Sequence, residues 1–308
     1  MDKKESCGQR LLIDWGTTNF RAFVVDAEDE LVDSFASERG LLSVESGAFS
    51  STLQSLLEEH LASYKAMPIL MAGMVGSLKG WVNVPYVSSS AGAAELSAAA
   101  HALTLPWGAK AYIIPGLSHE PEAGIYDVMR GEEVQLIGLQ ALLGENQLKV
   151  ILPGTHSKHA LMSQGQINAF KTYMTGELFS VLSKQMLFSR DLNQATIGSS
   201  DSAFLRGVSE GYCSEELMAV LFRSWTHRLF NNLKPDEVLD YLSGMLIGAE
   251  LKTIGTDLHY VVGGQSLCQR YLLAAEHLSL LCQYYSGDQC FLAGMKVLSK
   301  ERFDAEKA

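Results

Sequence analysis

Leu11-Leu12-Ile13-Asp14-Trp15-Gly16-Thr17-Thr18-Asn19-Phe20-Arg21 decides the reading of this chain, because Val150-Ile151-Leu152-Pro153-Gly154-Thr155-His156-Ser157-Lys158 repeats its plan further on. The apolar run Leu11 to Ile13 has the character of a buried strand, and a carboxylate, Asp14, stands at its end. Gly16 lets the backbone turn sharply, and Thr17, Thr18 and Asn19 set small hydroxyl and amide groups beside backbone N–H donors. These are the ingredients of an anion-binding nest suited to phosphate. Asp14 would repel a phosphate that it touched directly. Its expected part is to hold Mg²⁺ through water, since that ion keeps several waters and takes one or two carboxylates. For a motif this short, a plain β-hairpin with a polar turn is the ordinary alternative.

Aligned on Gly16-Thr17 and Gly154-Thr155, the two copies run in step. The first continues with strands over Phe20 to Asp26 and Leu31 to Ser37, the second with strands over Lys158 to Ser163 and Ile167 to Tyr173. Leu152 stands where the first copy has Asp14. The second copy therefore offers phosphate contacts from Gly154, Thr155, His156, Ser157 and Lys158, but no metal-binding carboxylate. Such a pair implies a nucleotide held between two lobes.

With 308 residues, 47% of them hydrophobic, the chain can bury two cores of ordinary size. The boundary is expected at a hinge near Glu145 to Lys149. That gives an N-terminal lobe of residues 1–147 and a C-terminal lobe of 148–308, with the last helix, Asp288 to Lys300, a candidate to return to the first lobe. A net charge of −11 argues against a nucleic-acid partner. It also leaves phosphate affinity to local nests and metal, because an acidic surface repels free ATP at long range. The five cysteines (Cys7, Cys213, Cys268, Cys282 and Cys290) contain no Cys-x-x-Cys pair, as in a reducing cytoplasm. Met1-Asp2-Lys3-Lys4-Glu5 carries no apolar leader, and Pro68 to Val75 is far too short to span a membrane. A soluble cytoplasmic protein is expected, with no membrane partner and with a homodimer left open.

Helical spacing places Phe49, Leu53, Leu56, Leu57 and Leu61 on one face. Ile69 to Ala72 and Tyr112 to Ile114 read as strands, with an Ala-rich helix from Ala91 to Leu103 between them, and Arg130 to Leu143 reads as the last helix of the first lobe. Further helices fit Gly176 to Phe188, Ser214 to Leu233, Pro235 to Thr253 and Ser266 to His277. Pro235, Asp236 and Glu237 suit a helix start. Between the last two helices, His259 to Val262 is a strand that runs into Gly263-Gly264-Gln265-Ser266, where glycines allow a ring or a phosphate to approach the backbone.

Duplicated strand-turn-strand-turn-strand units followed by helices resemble the ground plan of the sugar kinase, actin and chaperone-ATPase superfamily. That resemblance implies an α/β fold of two similar ribonuclease H-like lobes with a central nucleotide cleft, and it makes Gly263, Gly264 and Gln265 an adenosine-binding turn. Ordered strings carry a narrower likeness: Ala72-Gly73-Met74-Val75-Gly76-Ser77, Gly80-Trp81, Pro85-Tyr86-Val87, Val128-Met129-Arg130-Gly131-Glu132-Glu133, Leu152 to Lys158, and Met174-Thr175-Gly176-Glu177-Leu178. These resemble the bacterial 2-dehydro-3-deoxygalactonokinases. The likeness departs at His159, where Trp is expected. It implies transfer of the ATP γ-phosphoryl group to the C6 hydroxyl of a 2-keto-3-deoxy sugar acid in galactonate breakdown.

Phosphoryl transfer needs positioned phosphates, a metal, and a group that orients the attacking hydroxyl. In glycerol-kinase-like enzymes a Gly-Asp near this place supplies that carboxylate, and here it is Gly131-Glu132, with Asp127 and Glu133 as rivals. A helix start attracts carboxylates for dipole reasons alone. For the sugar acid, the candidates are Gly73, Met74, Gly76, Ser77, Trp81 and Tyr86, with Thr175 and Glu177 from the second lobe. Arg130 is a candidate fork for the carboxylate, or the partner of Glu133 or Asp127. His156-x-x-His159 has too few ligands for zinc. Two competing readings are a kinase of another 2-keto-3-deoxy acid and a non-catalytic actin-like protein that binds nucleotide or sugar.

Overall fold

The computed structural model describes residues 8–185 and 197–304. Strands β1 (Arg10–Trp15), β2 (Phe20–Val25) and β3 (Leu31–Ser37) form an antiparallel meander in which Asp14 lies directly opposite Arg21. Helix α1 (Phe49–His60) buries Phe49, Leu53, Leu56 and Leu57, the face set by their spacing. The chain continues through β4 (Ile69–Ala72), β5 (Val87–Ser88), α2 (Ala93–Ala98), β6 (His101–Thr104) and β7 (Lys110–Ile113). The first sheet has the order β3-β2-β1-β4-β7-β6, with β4 parallel to both β1 and β7. Strands β8 (Leu117–Glu122) and β9 (Ile125–Met129) join β5 in a separate three-stranded sheet, and α3 (Glu132–Leu143) follows.

The second meander is β10 (Gln147–Leu152), β11 (Ser157–Ser163) and β12 (Gln166–Tyr173). Helices α4 (Thr175–Gln185), α5 (Asp201–Cys213), α6 (Leu217–Leu221), α7 (Arg223–Leu229) and α8 (Val238–Leu251) come next. They are followed by β13 (His259–Gly263), α9 (Gln265–His277), β14 (Cys282–Ser286) and α10 (Gly287–Asp304). This sheet has the order β12-β11-β10-β13-β14, which reproduces β3-β2-β1-β4-β7 of the first. The chain thus uses one topology twice. Packing divides it into two compact units. Unit 1 runs to Leu148 and takes up Ala160–Phe170 and the chain from Gly287; unit 2 comprises Lys149–His159 and Lys171–Ser286. No described helix is long and apolar enough to cross a membrane.

Both meanders follow the expected strands to within a residue or two, whereas several helices do not match their expected bounds. The Ala-rich helix ends at Ala98, because His101–Thr104 turns back through Leu105-Pro106-Trp107-Gly108 to pair with β7. Gly108 closes that turn at φ +88°, a region where glycine has no steric cost. The helix expected over Ser214 to Leu233 is two short helices that meet at Phe222, and α8 begins at Val238 after a 3-10 turn headed by Pro235. Helix α3 starts at Glu132 rather than Arg130, since Gly131 sits at φ +107°. The helix expected over Gly176 to Phe188 starts at Thr175, and its last three residues lie outside the described ones, as does Cys7.

Helix α5 was not expected, and it packs against α8 at very short range. A Cβ on Gly207 or Gly211 would lie 2.1 or 2.0 Å from a carbonyl oxygen of α8, and one on Gly244 or Gly248 would lie 2.0 or 2.2 Å from one of α5. The two backbones touch with no side chain between them. Gly244→Ala is therefore expected to cost about 1–3 kcal/mol, the usual penalty for overpacking a tight contact, measured by urea unfolding. Gly255→Ala, at an exposed position where a Cβ would meet only Asp257 Oδ2 at 3.9 Å, serves as the neutral control.

Candidate active site

In unit 1, register delivers the first functional pair. Because Asp14 and Arg21 are cross-strand partners, the Arg21 guanidinium reaches the carboxylate with Nε at 3.0 Å and Nη2 at 2.5 Å, both on Oδ2. Arg21 also bridges to Asp288 at the start of α10. Burial raises the Asp14 pKa above its ordinary value against the lowering effect of Arg21. Among the described residues, Oδ1 accepts no hydrogen bond. A half-buried carboxylate that one arginine compensates only in part has capacity for a further cation. The turn beyond β1 is tight. Gly16 N–H donates to the Asn19 carbonyl at 2.9 Å, and the N–H groups of Gly40, Leu41 and Leu42 take the carbonyls of Thr18, Gly16 and Thr17. Gly40, which sequence reasoning missed, must lack a Cβ, since one would lie 2.2 Å from the Thr18 carbonyl carbon. Thr17, Thr18 and Asn19 are left exposed.

Gly73, at φ +93°, joins this carboxylate to the start of α3. A Cβ at Gly73 would lie 3.0 Å from Asp14 Oδ1, and a Cβ at Gly131 would lie 3.5 Å from the Gly73 Cα. Gly76 is equally close to Arg130, since its Cβ would stand 2.9 Å from Nη1. The 72–77 string and the 128–133 string are thus packed together beside Asp14. Arg130 is buried, donates from Nη2 to the Val84 carbonyl at 2.8 Å, and lies 4.4 Å over the Tyr86 ring. Its Nε and Nη1, and the Ser77 hydroxyl, are buried without a hydrogen-bond partner among the described residues. Met74 opens the short turn over Met74–Gly76. Trp81 packs against Phe49 and Trp15, at 6.1 and 6.4 Å between ring centroids, and is half-buried against the core.

The rival carboxylates separate by environment. Glu132 is half-buried and accepts the Arg130 N–H at 3.0 Å. Glu133 is fully buried, with both oxygens 2.8 Å from the Gly131 N–H. Burial, reinforced by the charge of Glu132, pushes Glu133 up to about 8. Asp127 lies in β9 opposite His119 and accepts the Val128 N–H. It is not part of the helix start.

In unit 2, the second turn is held by α4, much as the first is held by Gly40. Glu177 N–H donates to the Thr155 carbonyl at 2.9 Å, and a Cβ on Gly176 would lie 2.4 Å from the Gly154 carbonyl oxygen. His156 pairs with Glu177 at 2.6 Å on the surface. Ser157 and Lys158 do not face outward as a phosphate cradle. The Ser157 hydroxyl is buried on Glu250 at 2.6 Å, and Lys158 Nζ is 2.7 Å from the Thr172 hydroxyl. Glu250, which no motif signalled, also accepts from Thr175 and from the Tyr271 hydroxyl at 2.8 Å. His159 Nε2 lies 2.8 Å from the same carboxylate, so the residue that departs from the expected Trp is engaged with Glu250.

A cavity of about 560 Å³ brings together Gly154 and Thr175 from the second turn with Gly264 and Gln265 at the head of α9. Gly263 ends β13 just before them. Phe179, Leu246, Ile247 and Leu267 give the cavity apolar walls. Cavities of this size and character take small organic ligands.

Two sheets that share the same order over five strands, each with a Gly-Thr turn after its first strand, define an α/β fold of the actin-like ATPase and sugar-kinase type. Within that class, the family model for 2-keto-3-deoxy-galactonokinase matches residues 14–298, and the chain belongs to that family. The 2-dehydro-3-deoxygalactonokinase of Escherichia coli (strain K12) is 33% identical over 296 residues, which cover 94% of this chain and 97% of that protein. A crystal structure from Sinorhizobium meliloti, assigned to the same activity, has a TM-score of 0.87 at 28% identity, covering 94% of this chain and 98% of that one. The activator of the 2-hydroxyisocaproyl-CoA dehydratase from Clostridium difficile, with bound ADPNP, has a TM-score of 0.50 at 11% identity and shares the fold alone.

The environment of Glu133 has a pH signature. In the folded chain it stays protonated up to about 8, whereas its ordinary value is 4.5, so unfolding releases a proton between those values. Its contribution is therefore complete below the unfolded value and is lost as pH rises towards the folded one. Glu133→Gln keeps the shape and cannot ionise. Urea unfolding across this range is expected to show a flatter loss of stability for the variant than for the parent chain. Equal slopes would mean that burial does not hold Glu133 neutral.

Proposed function

We propose that this chain transfers the γ-phosphoryl group of ATP to the C6 hydroxyl of 2-dehydro-3-deoxy-D-galactonate, a step of galactonate breakdown. The observation that carries the reading is the convergence of Asp14, Gly73 and Gly131-Glu132 in unit 1 of a chain that belongs to the 2-keto-3-deoxy-galactonokinase family. Unit 2 takes the nucleotide, with the base and ribose in its apolar cavity and the phosphates at the turn Gly154-Thr155-His156. The first turn, Gly16 to Asn19, is the phosphate candidate of unit 1, with its exposed Thr17, Thr18 and Asn19.

The donor set at Asp14 fits magnesium. The ion asks for one or two carboxylates, and Oδ1 is uncommitted beside a glycine that leaves room. When bound, Mg²⁺ would neutralise charge on the phosphate oxygens. Arg21 keeps Asp14 in one orientation from the opposite strand. Glu132, at the head of α3, orients the attacking hydroxyl and takes its proton, while buried Glu133 ties the Gly131 backbone in place. Arg130 and Ser77 supply the unsatisfied donors for the carboxylate of the acid, with Tyr86 beneath the guanidinium.

A coupled ADP-release assay over a series of 2-keto-3-deoxy acids tests the reading. Turnover is expected with 2-dehydro-3-deoxy-D-galactonate above the other acids. A preference for another acid would reassign the substrate, and no ADP release with any of them would end the kinase reading. Asp14→Asn is expected to slow MgATP-dependent turnover greatly with the fold intact by circular dichroism; a near-normal kcat would remove Asp14 from the mechanism. Glu132→Gln is expected to lower kcat by roughly 10²–10⁴-fold, the usual scale of general-base catalysis, with little change in KM for ATP. Asp127→Asn is expected to do much less, and the reverse order would make Asp127 the base.

A further inference from the structure

Arg270 is a charged residue in the wall of an apolar cavity. It lies on α9, five residues beyond Gln265, and so about 7 Å further along the helix axis from the end where Gly264 begins the helix. Its Nη1 is 2.9 Å from Oδ1 of Asp240, a carboxylate with no exposure to solvent. Asp240 is fixed in turn by the N–H groups of Gly198 and Ser200, both at 2.8 Å, and by the Ser199 hydroxyl at 3.0 Å. The guanidinium carbon stands 4.1 Å over the Phe204 ring. Nε and Nη2 have no hydrogen-bond partner among the described residues.

This arrangement is unsuited to a phosphate. The Asp240 carboxylate already balances the charge of Arg270, so the pair presents no net attraction for an anion. The phosphate end of the cavity is elsewhere, where Gly154 and Thr175 meet the N-terminus of α9 and its favourable dipole. What Arg270 still offers is a flat guanidinium, backed on one side by an aromatic ring, and two unsatisfied N–H donors. A planar heteroaromatic ring stacks on the open face of that guanidinium, which leaves the in-plane donors to acceptors at its rim rather than to the stacked ring itself. We infer that Arg270, held by Asp240 and Phe204, contacts the purine base of the nucleotide and sets the affinity of the cavity for the nucleoside rather than for its phosphates. This rests on unit 2 being the nucleotide site of a kinase. Asp240 touches no ligand in this scheme; it is a positioning residue that acts through Arg270.

Binding of ADP and of pyrophosphate to the full chain, with and without substitution, tests the assignment. Arg270→Lys keeps the charge opposite Asp240 but loses the plane and the fork. It is expected to weaken ADP by about tenfold or more, equivalent to one lost directional contact, while pyrophosphate affinity and KM for the sugar acid stay within about twofold of the parent. Phe204→Leu removes the backing ring without touching the ion pair and is expected to weaken ADP in the same selective way, which keeps the test available should the lysine variant not fold. Unchanged ADP affinity in a folded variant would overturn the inference, as would a parallel loss of pyrophosphate. Failure of the parent chain to bind ADP would instead overturn the nucleotide reading of unit 2, a distinguishable outcome.

Discussion

The approach of α5 to α8, backbone against backbone through Gly207, Gly211, Gly244 and Gly248, is the constraint on which unit 2 is built. Four glycines, in two pairs spaced by four residues, let carbonyls of each helix sit where side chains would otherwise stand. The reason the spacing matters lies on the other helix faces. α8 carries both carboxylates that are buried among the unit's described residues, Asp240 near its start and Glu250 near its end, about 15 Å apart along the axis. Asp240 governs Arg270, and Glu250 governs Ser157, Thr175 and Tyr271. Fixing one helix therefore fixes the deep wall of the cavity and its end at the Gly154-Thr155 turn together. Each carboxylate is tolerable in the interior only because several donors converge on it.

Unit 1 reaches a comparable result by missing side chains at turns. Gly73 and Gly131 both adopt positive φ, and the space they vacate lets the Asp14 carboxylate and the head of α3 share one small region. Two acidic groups brought this near to one another would repel if both were bare. Here Asp14 is tied to Arg21, Glu132 to a backbone N–H, and Glu133 is kept neutral over much of the pH range by burial. The charge balance of the region is thus set by different means at each carboxylate.

Legibility in the sequence followed the range of the interactions. Both meanders could be read because their strands are short apolar runs punctuated by Gly16, Gly154 and polar turns, a local signal. The Gly73 to Ser77 string and Arg130 could be placed in one site through resemblance, and in the structure they lie together. The break at Phe222, the β8–β9 hairpin and strand β6 could not, because helix propensity in those segments yields to pairing or packing with residues remote in sequence. The partners of the functional residues were equally hidden. Nothing beside Glu250 in the sequence points to Ser157, 93 residues away, and nothing beside Arg270 points to Asp240. Ser157 and Lys158 read as a phosphate grip because a run of polar residues after a Gly-Thr turn looks alike whether it faces ligand or core.

Helix α10 belongs to unit 1, although the strand before it belongs to unit 2. It closes on α3 through Gly138 and Gly294, where a Cβ would lie 1.7 and 1.9 Å from carbonyl oxygens of the opposite helix, and it carries Arg302 over the Tyr112 ring at 4.3 Å. Its first turn brings Asp288 to Arg21, the residue that holds Asp14. During synthesis, then, the unit whose strands emerge first is the one that must wait for α10, which follows every strand of unit 2. Until α10 has left the ribosome, α3 lacks the helix that packs on Gly138, while the described strands and helices of unit 2 have all been made. Order of birth and order of completion are opposite for these two units, so a chain halted just short of α10 would hold all the described elements of unit 2 and an unfinished unit 1.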